Sequence, residues 1–166
     1  MDENKKSLRL TVAHGKCSQC GFERILYFSC AFSYGERIMS TKDGKSCAYA
    51  NLIAENIIPE LEKICIDILK KENINLSEHE IGLIVSKLYY ITCDDIDGQK
   101  VDGTPLFKCP NCPDGKIKED KEFGEQLMDI QMPYITHKAW DMLDYDQKMQ
   151  KVKSAILHLN LYRKNL

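Results

Sequence analysis

The chain is 166 residues long, 43% hydrophobic and 29% charged, with a net charge of −2 and a pI near 6.1. Such a length suits one domain that buries its own core, and the composition excludes disordered and fibrous classes. No apolar run approaches the roughly 20 residues needed to cross a bilayer, and MDENKKSLRL lacks the apolar core of a signal peptide, so the expectation is a cytoplasmic protein with no membrane partner.

In chain order, Leu8, Leu10 and Val12 alternate with polar residues, which predicts a half-buried strand running toward Cys17. The aromatic stretch from Phe22 to Ser33 predicts a second strand. Asp43-Gly44 marks a tight turn, so Arg37–Ser40 and Ser46–Tyr49 are expected to pair as a hairpin, unless the second arm opens the next helix. From Ala48 to about Glu72, apolar residues recur at helical spacing, and Pro59 predicts a kink or a fresh helix start near Ile57.

Ser77 with Glu80 reads as a capping box for a helix that buries Ile81, Ile84, Val85 and Leu88 and ends before Thr92. A short strand is predicted at Leu106–Lys108. Phe123, Leu127 and Ile130 have helical spacing up to Pro133. Two helices follow: one near Ala139–Leu143 capped by Thr136, the other capped by Asp144 with Gln147 and buried through Met149, Val152, Ile156 and Leu159.

The chemistry lies in the cysteines. KCSQCGF and KCPNCPDG each hold a C-x-x-C pair, with 88 residues between Cys20 and Cys109. Such a turn brings two thiolates to one metal, and a nearby glycine (Gly21, Gly115) lets the backbone curl around the sulfur. Cys17, Cys20, Cys109 and Cys112 are therefore predicted to hold one structural Zn2+, with iron as the other four-thiolate metal. Pro110 and Pro113 suit a rigid turn better than a redox-active helix start. Cys30, Cys47, Cys65 and Cys93 read as packed thiols, and His14 as a marginal ligand candidate. His137 and Trp140, one turn apart, read as packing residues with a binding hot spot as the alternative.

The paired turns resemble a zinc ribbon or a pair of zinc knuckles, a likeness covering about twenty residues. The expected fold is α+β: a small antiparallel sheet closed by a four-cysteine, zinc-ribbon-like site. Helices over about 48–91 are inserted between the two pairs, a C-terminal helical segment follows, and 1–166 form a single domain.

Residues 91–146 hold 13 acidic against 6 basic side chains, net −7, leaving +5 for the remainder. Neither a nucleophile elbow, a phosphate loop, a dinucleotide fingerprint nor H-E-x-x-H is present. The expectation is a non-enzymatic protein that docks a basic protein through Asp94, Asp95, Asp97 and Asp102, with Asp141, Asp144 and Asp146. In outline it is similar to the cytosolic immunity proteins of bacterial contact-dependent and polymorphic toxin systems, which implies an inhibitor whose partner is a toxin domain. Two alternatives stand beside it. One is a zinc-ribbon protein associated with nucleic acid, disfavoured because the second cysteine pair lies in the acidic band. The other is a metal-dependent nuclease or other hydrolase built from scattered carboxylates.

Overall fold

The computed structural model describes residues 5–29 and 31–158. Its elements are β1 (Lys5–Cys17), β2 (Glu23–Phe28), β3 (Glu36–Ser40), β4 (Cys47–Asn51), α1 (Ile57–Lys71), α2 (Glu78–Leu88), β5 (Ile117–Glu119), β6 (Gln126–Pro133), α3 (Lys138–Asp141) and α4 (Tyr145–His158), with a 3-10 turn over Tyr89–Thr92. They fall into two units. Met1–Asn51 with Asp95–Ile135 carries the strands, and Leu52–Asp94 with Thr136–Leu166 carries the helices. Mixed helices and small antiparallel sheets are thus present, as the sequence predicts.

In the strand unit, β1 is the organiser because its two faces are both apolar: Leu8, Leu10 and Val12 on one, Ala13, Gly15 and Cys17 on the other. β2 lines one edge antiparallel, from Thr11↔Phe28 to Lys16↔Glu23. The other edge is shared. β6 pairs with it over Lys5↔Pro133 to Val12↔Gln126, and β5 over Gly15↔Glu119 to Cys17↔Ile117.

The β3–β4 hairpin forms where expected, with Ser40 opposite Cys47, and makes a two-stranded sheet of its own. Its turn docks on β2: Ile25 N–H donates to the Asp43 carbonyl and the Tyr27 hydroxyl to the Gly44 carbonyl, both at 2.8 Å. Tyr49 of β4 forms a core with Leu10 and Met132, flanked by Val12, Tyr27 and Ile130.

Three sequence expectations change here. Residues 48–51, read as the start of a helix, are the end of β4. No strand covers 106–108; Lys108 makes a single antiparallel bridge to Lys116, and the strand follows the second cysteine pair as β5. Where a helix is expected over Phe123, Leu127 and Ile130, Phe123 lies in a turn and Leu127 and Ile130 lie in β6. Its Met128, Ile130 and Met132 also alternate, so helix and strand periods coincide over that short run, and the free edge of β1 supplies the backbone partners that settle it.

In the helical unit, α1 starts afresh at Ile57 and carries Pro59 in its first turn, where its missing N–H donor costs no intrahelical hydrogen bond. Its buried stripe is Ile57, Leu61, Ile64, Cys65, Ile68 and Leu69; fully burying such an aliphatic chain contributes about 1.5–3 kcal/mol. α1 packs against α2 and α4. The Ser77–Glu80 capping box is present: Glu80 N–H donates to Ser77 Oγ at 3.3 Å and Ser77 N–H to Glu80 Oε2 at 2.8 Å. Asp144 and Gln147 cap α4 in the same reciprocal way. Val152 and Ile156 are buried as expected and Met149 partly so, Leu159 lies outside the described residues, and Lys148 is buried beside them. Among the described residues no helix is long and apolar enough to cross a membrane.

Candidate metal centre

β1 delivers Cys17, and the chain reverses before β2: Cys17 N–H donates to the Phe22 carbonyl at 2.8 Å and Gly21 N–H to the Cys17 carbonyl at 3.1 Å. Gly21 takes φ +74°, a left-handed conformation that a Cβ would disfavour. In the second turn Cys109 N–H donates to the Gly115 carbonyl at 2.8 Å and Gly115 N–H to the Cys112 carbonyl at 3.2 Å. In both turns the N–H two residues past the first cysteine, Gln19 or Asn111, points at its sulfur at 3.4 Å. The turns are joined by the Cys17↔Ile117 pairing and by Ser18 N–H donating to the Lys116 carbonyl at 3.3 Å.

The sulfurs of Cys17, Cys20, Cys109 and Cys112 all lie within 4.8 Å of one another, and those of Cys20 and Cys109 are 3.7 Å apart. Thiolates held about 2.3 Å from a tetrahedral ion would have edges of about 3.8 Å, so this donor set can hold a metal ion. Packing tightens the requirement at Gly115, where a Cβ would stand 2.6 Å from Cys112 Cβ, 2.8 Å from Cys109 Cβ and 3.0 Å from Cys17 Sγ. Cys17 and Cys109 are buried in an apolar cluster with Ala13, Leu26 and Ile117; Cys20 is exposed and Cys112 half-buried.

Electrostatics fit a shared cation. The backbone N–H groups of Cys20 and Gln19 lower the Cys17 thiol to about 6. Hydrogen bonding with Cys20, then burial, pushes Cys112 up to about 12, and burial raises Cys109. Burial and hydrogen bonding thus hold Cys109 and Cys112 toward the thiol, and a bound divalent ion would favour the thiolate at each of them. Arg24, 3% exposed, adds positive charge next to Cys109; burial lowers its pKa, opposed by Asp102 and Cys109. Arg24 Nη2 lies 3.1 Å from Asp102 Oδ2, while Arg24 Nε and Asp102 Oδ2 have no hydrogen-bond partner among the described residues.

The acidic residues divide by environment. Asp94 is committed to the fold: it accepts from Thr136 Oγ1 at 2.6 Å, Lys138 N–H at 2.9 Å and Ala139 N–H at 2.8 Å, so it caps α3 in place of the expected Thr136. Asp102 faces inward to Arg24 and accepts from Thr104 N–H and Oγ1. Asp144 caps α4. Asp95, Asp97, Asp141 and Asp146 are exposed. Asp94, Asp141, Asp144 and Asp146 belong to the helical unit, and Asp95, Asp97 and Asp102 to the strand unit.

His14 points to the strand face opposite Cys17 and stacks on Phe123 with centroids 4.9 Å apart, so it stands outside the sulfur cluster. Cys65 is fully buried and its thiol is pushed up to about 12 by burial; Cys93 behaves likewise, and burial raises Cys47. Cys30 lies outside the described residues.

Two polar networks in the helical unit have no local sequence signal. Trp140, fully buried, donates Nε1–H to Glu60 at 2.7 Å, and Lys148 Nζ meets the other oxygen of Glu60 at 2.7 Å. His137 Nδ1–H donates to the Thr92 carbonyl at 2.9 Å, while its Nε2 lies 3.0 Å from Glu55 Oε2, which also accepts from the Tyr89 hydroxyl. Both support the packing reading of His137 and Trp140. No protein family, curated protein or solved structure matches the chain.

Proposed function

We propose that the four cysteines hold a structural zinc ion in a zinc-ribbon-like centre, and that the protein acts by binding another protein rather than by catalysis. The observation that carries this reading is the closed donor set: four cysteine sulfurs supplied by two matching turns and all within 4.8 Å of one another. A catalytic zinc keeps one position for water or substrate, whereas four thiolates fill a tetrahedral ion. The helices between the pairs act as an insertion into the chain that forms the centre.

The partner in this reading is a basic protein, and the relationship is that of a stoichiometric inhibitor, an immunity-type protein covering the cationic cleft of a bacterial toxin in the cytoplasm. Support comes from exposed Asp95 and Asp97, with Asp141 and Asp146 on the other unit. The hydrolase alternative loses ground because Asp94, Asp102, Glu55 and Glu60 are each engaged in caps or internal pairs.

The test has two arms. Elemental analysis of the native protein is expected to give about one zinc per chain; less than half an equivalent of zinc or iron ends the metal reading. Partners captured from the native host are then measured kinetically across salt concentrations, where screening over roughly 8 Å slows association between charged faces. Asp95→Asn with Asp97→Asn is expected to slow association several-fold without loss of zinc, and an unchanged, salt-insensitive on-rate ends the acidic-docking reading. Asn suits position 97, whose φ is +50°.

A further inference from the structure

One backbone edge of the strand unit stands open, and the hydrogen bonds of β1 show which groups it presents. The His14 carbonyl accepts from Asp120 N–H at 2.7 Å and Ser18 N–H donates to the Lys116 carbonyl at 3.3 Å, whereas Cys17 N–H turns the other way, to the Phe22 carbonyl before β2. Even-numbered residues of β1 therefore direct their backbone groups to the side shared by β5 and β6. By register, Gln126, Met128, Ile130 and Met132 answer them across the ladder, so the N–H and C=O groups of Leu127, Asp129 and Gln131 point away from β1. Among the described residues nothing pairs with those groups.

The far edge of β2 is covered, since the β3–β4 turn seats on it and Ile25 N–H donates to the Asp43 carbonyl. β6 has no such cover. All of its residues except Ile130 and Met132 are exposed, Leu127 at 69% and Met128 at 43%. Edges that stay unpaired are normally blunted by lysine, by proline or by a bulge. QLMDIQMP holds no lysine, its proline comes last, and its register with β1 is unbroken. Its single charge, Asp129, already accepts from Arg9 Nε and Nη2 at 2.8 Å each. An extended apolar edge of this kind is completed by another strand.

The sequence of β6 suits β6 itself as that strand. Two copies related by a twofold axis pair antiparallel, with outward-facing residues opposite outward-facing ones. An axis at Asp129 would set two carboxylates against each other, and an axis at Met128 would shorten the overlap and set Asp129 against the partner's Leu127. An axis at Ile130 avoids both. Asp129 then lies opposite the partner's Gln131, whose side-chain amide is a donor, Met128 opposite the partner's Met132, and Leu127 opposite the partner's Pro133, so the N–H that proline lacks is missing only at the ends of the ladder.

We propose that the protein forms a twofold dimer through antiparallel pairing of β6 with β6 of a second copy, centred on Ile130, which joins the two strand-unit sheets into one. The assembly stops at two because each copy covers the open edge of the other. The interface uses neither the cysteines nor the acidic residues assigned to a basic partner, so it stands or falls apart from the proposed function.

The experiment is sedimentation velocity of the full-length, zinc-loaded protein over a concentration series, where a monomer–dimer equilibrium without larger species is expected. Gln131→Pro removes an outward N–H at a position where an open edge tolerates proline. It is expected to keep the circular dichroism and zinc content of wild type and to weaken dimerisation at least ~10-fold, because symmetry removes the bond twice. Ile130→Cys tests the register, since opposed residues of the non-hydrogen-bonded kind stand about 4.5 Å apart at Cα, within reach of a disulfide. With glutathione disulfide as oxidant, Ile130→Cys is expected to link two copies, and wild type and Met128→Cys to remain unlinked. If Gln131→Pro fails to fold, the cysteine variants decide alone. Wild type that stays monomeric at the highest concentration overturns the proposal and leaves the edge to a strand of another protein. Dimerisation of folded Gln131→Pro at wild-type strength overturns it too, as does a series of larger species, the mark of a head-to-tail contact. Linking through Met128→Cys in place of Ile130→Cys overturns the pairing centred on Ile130.

Discussion

In the strand unit the three-residue β5 and the turns around it are drawn together by four sulfurs, whereas in the helical unit α1 alone buries six apolar side chains along one stripe. The first arrangement has little apolar area near the cysteines, limited to Ala13, Leu26, Ile117 and their neighbours. The second has a continuous apolar seam, and its buried charges are paired: Glu60 with Lys148 and Trp140, His137 with Glu55. The contrast teaches that cohesion can be supplied by a few ligands where chain segments are short, and by periodic burial where they are long.

The largest effect separates the units outright. Thiolate ligation of zinc is worth on the order of 10 kcal/mol in small peptides. Cys109→Ser, or a strong chelator, is expected to abolish amide-exchange protection across β1, β2 and β5 while α1 and α2 keep theirs. Equal loss of protection in both units would end the comparison.

Next in size is a break confined to the helices. Glu60→Ala leaves Lys148 and the indole N–H of Trp140 buried without their acceptor, which is expected to cost about 2–3 kcal/mol. The readout is a lower urea midpoint of the helical signal at unchanged zinc content.

Gly115→Ala is the corresponding probe of the strand unit. Its methyl group would press on Cys109, Cys112 and Cys17, so a loss of about 1–3 kcal/mol is expected together with faster zinc transfer to a competing chelator. Stability lost without faster metal release would mean that Gly115 serves packing alone.

The smallest effect is a pH dependence. Burial lowers the His137 pKa, but its hydrogen bonds to Glu55 and the Thr92 carbonyl, with the charges of Glu55 and Asp141, raise it overall. A raised folded-state pKa means the contribution is fully present below the unfolded value of about 6.5 and disappears as pH rises through the folded one. Thermal melts of the helical signal are expected to fall over that window in wild type and not in His137→Gln.

What could be read from the sequence was local. The α1 stripe, the Ser77–Glu80 and Asp144–Gln147 caps, the Asp43-Gly44 hairpin and both C-x-x-C turns are each set by residues a few positions apart. What escaped was set at a distance. β6 is a strand because β1 lies beside it, as the Arg9–Asp129 pair across 120 positions illustrates. Asp94 reads as a loose surface acid until Lys138 and Ala139, more than forty positions on, are seen to need a cap. Asp102 became an internal partner through Arg24, which carries no sequence sign of being buried.

The interleaving of the two units has a consequence for the order of folding. Each unit is made of two separate stretches of chain, so neither is complete when the first 94 residues have formed. On a ribosome, Cys17 and Cys20 emerge well before Cys109 and Cys112, and bringing them together closes a loop whose entropy costs roughly 4 kcal/mol. A nascent chain would therefore carry a half-built thiol pair through much of its synthesis, open to oxidation or to a transient metal, until β5 and β6 arrive to close the sheet.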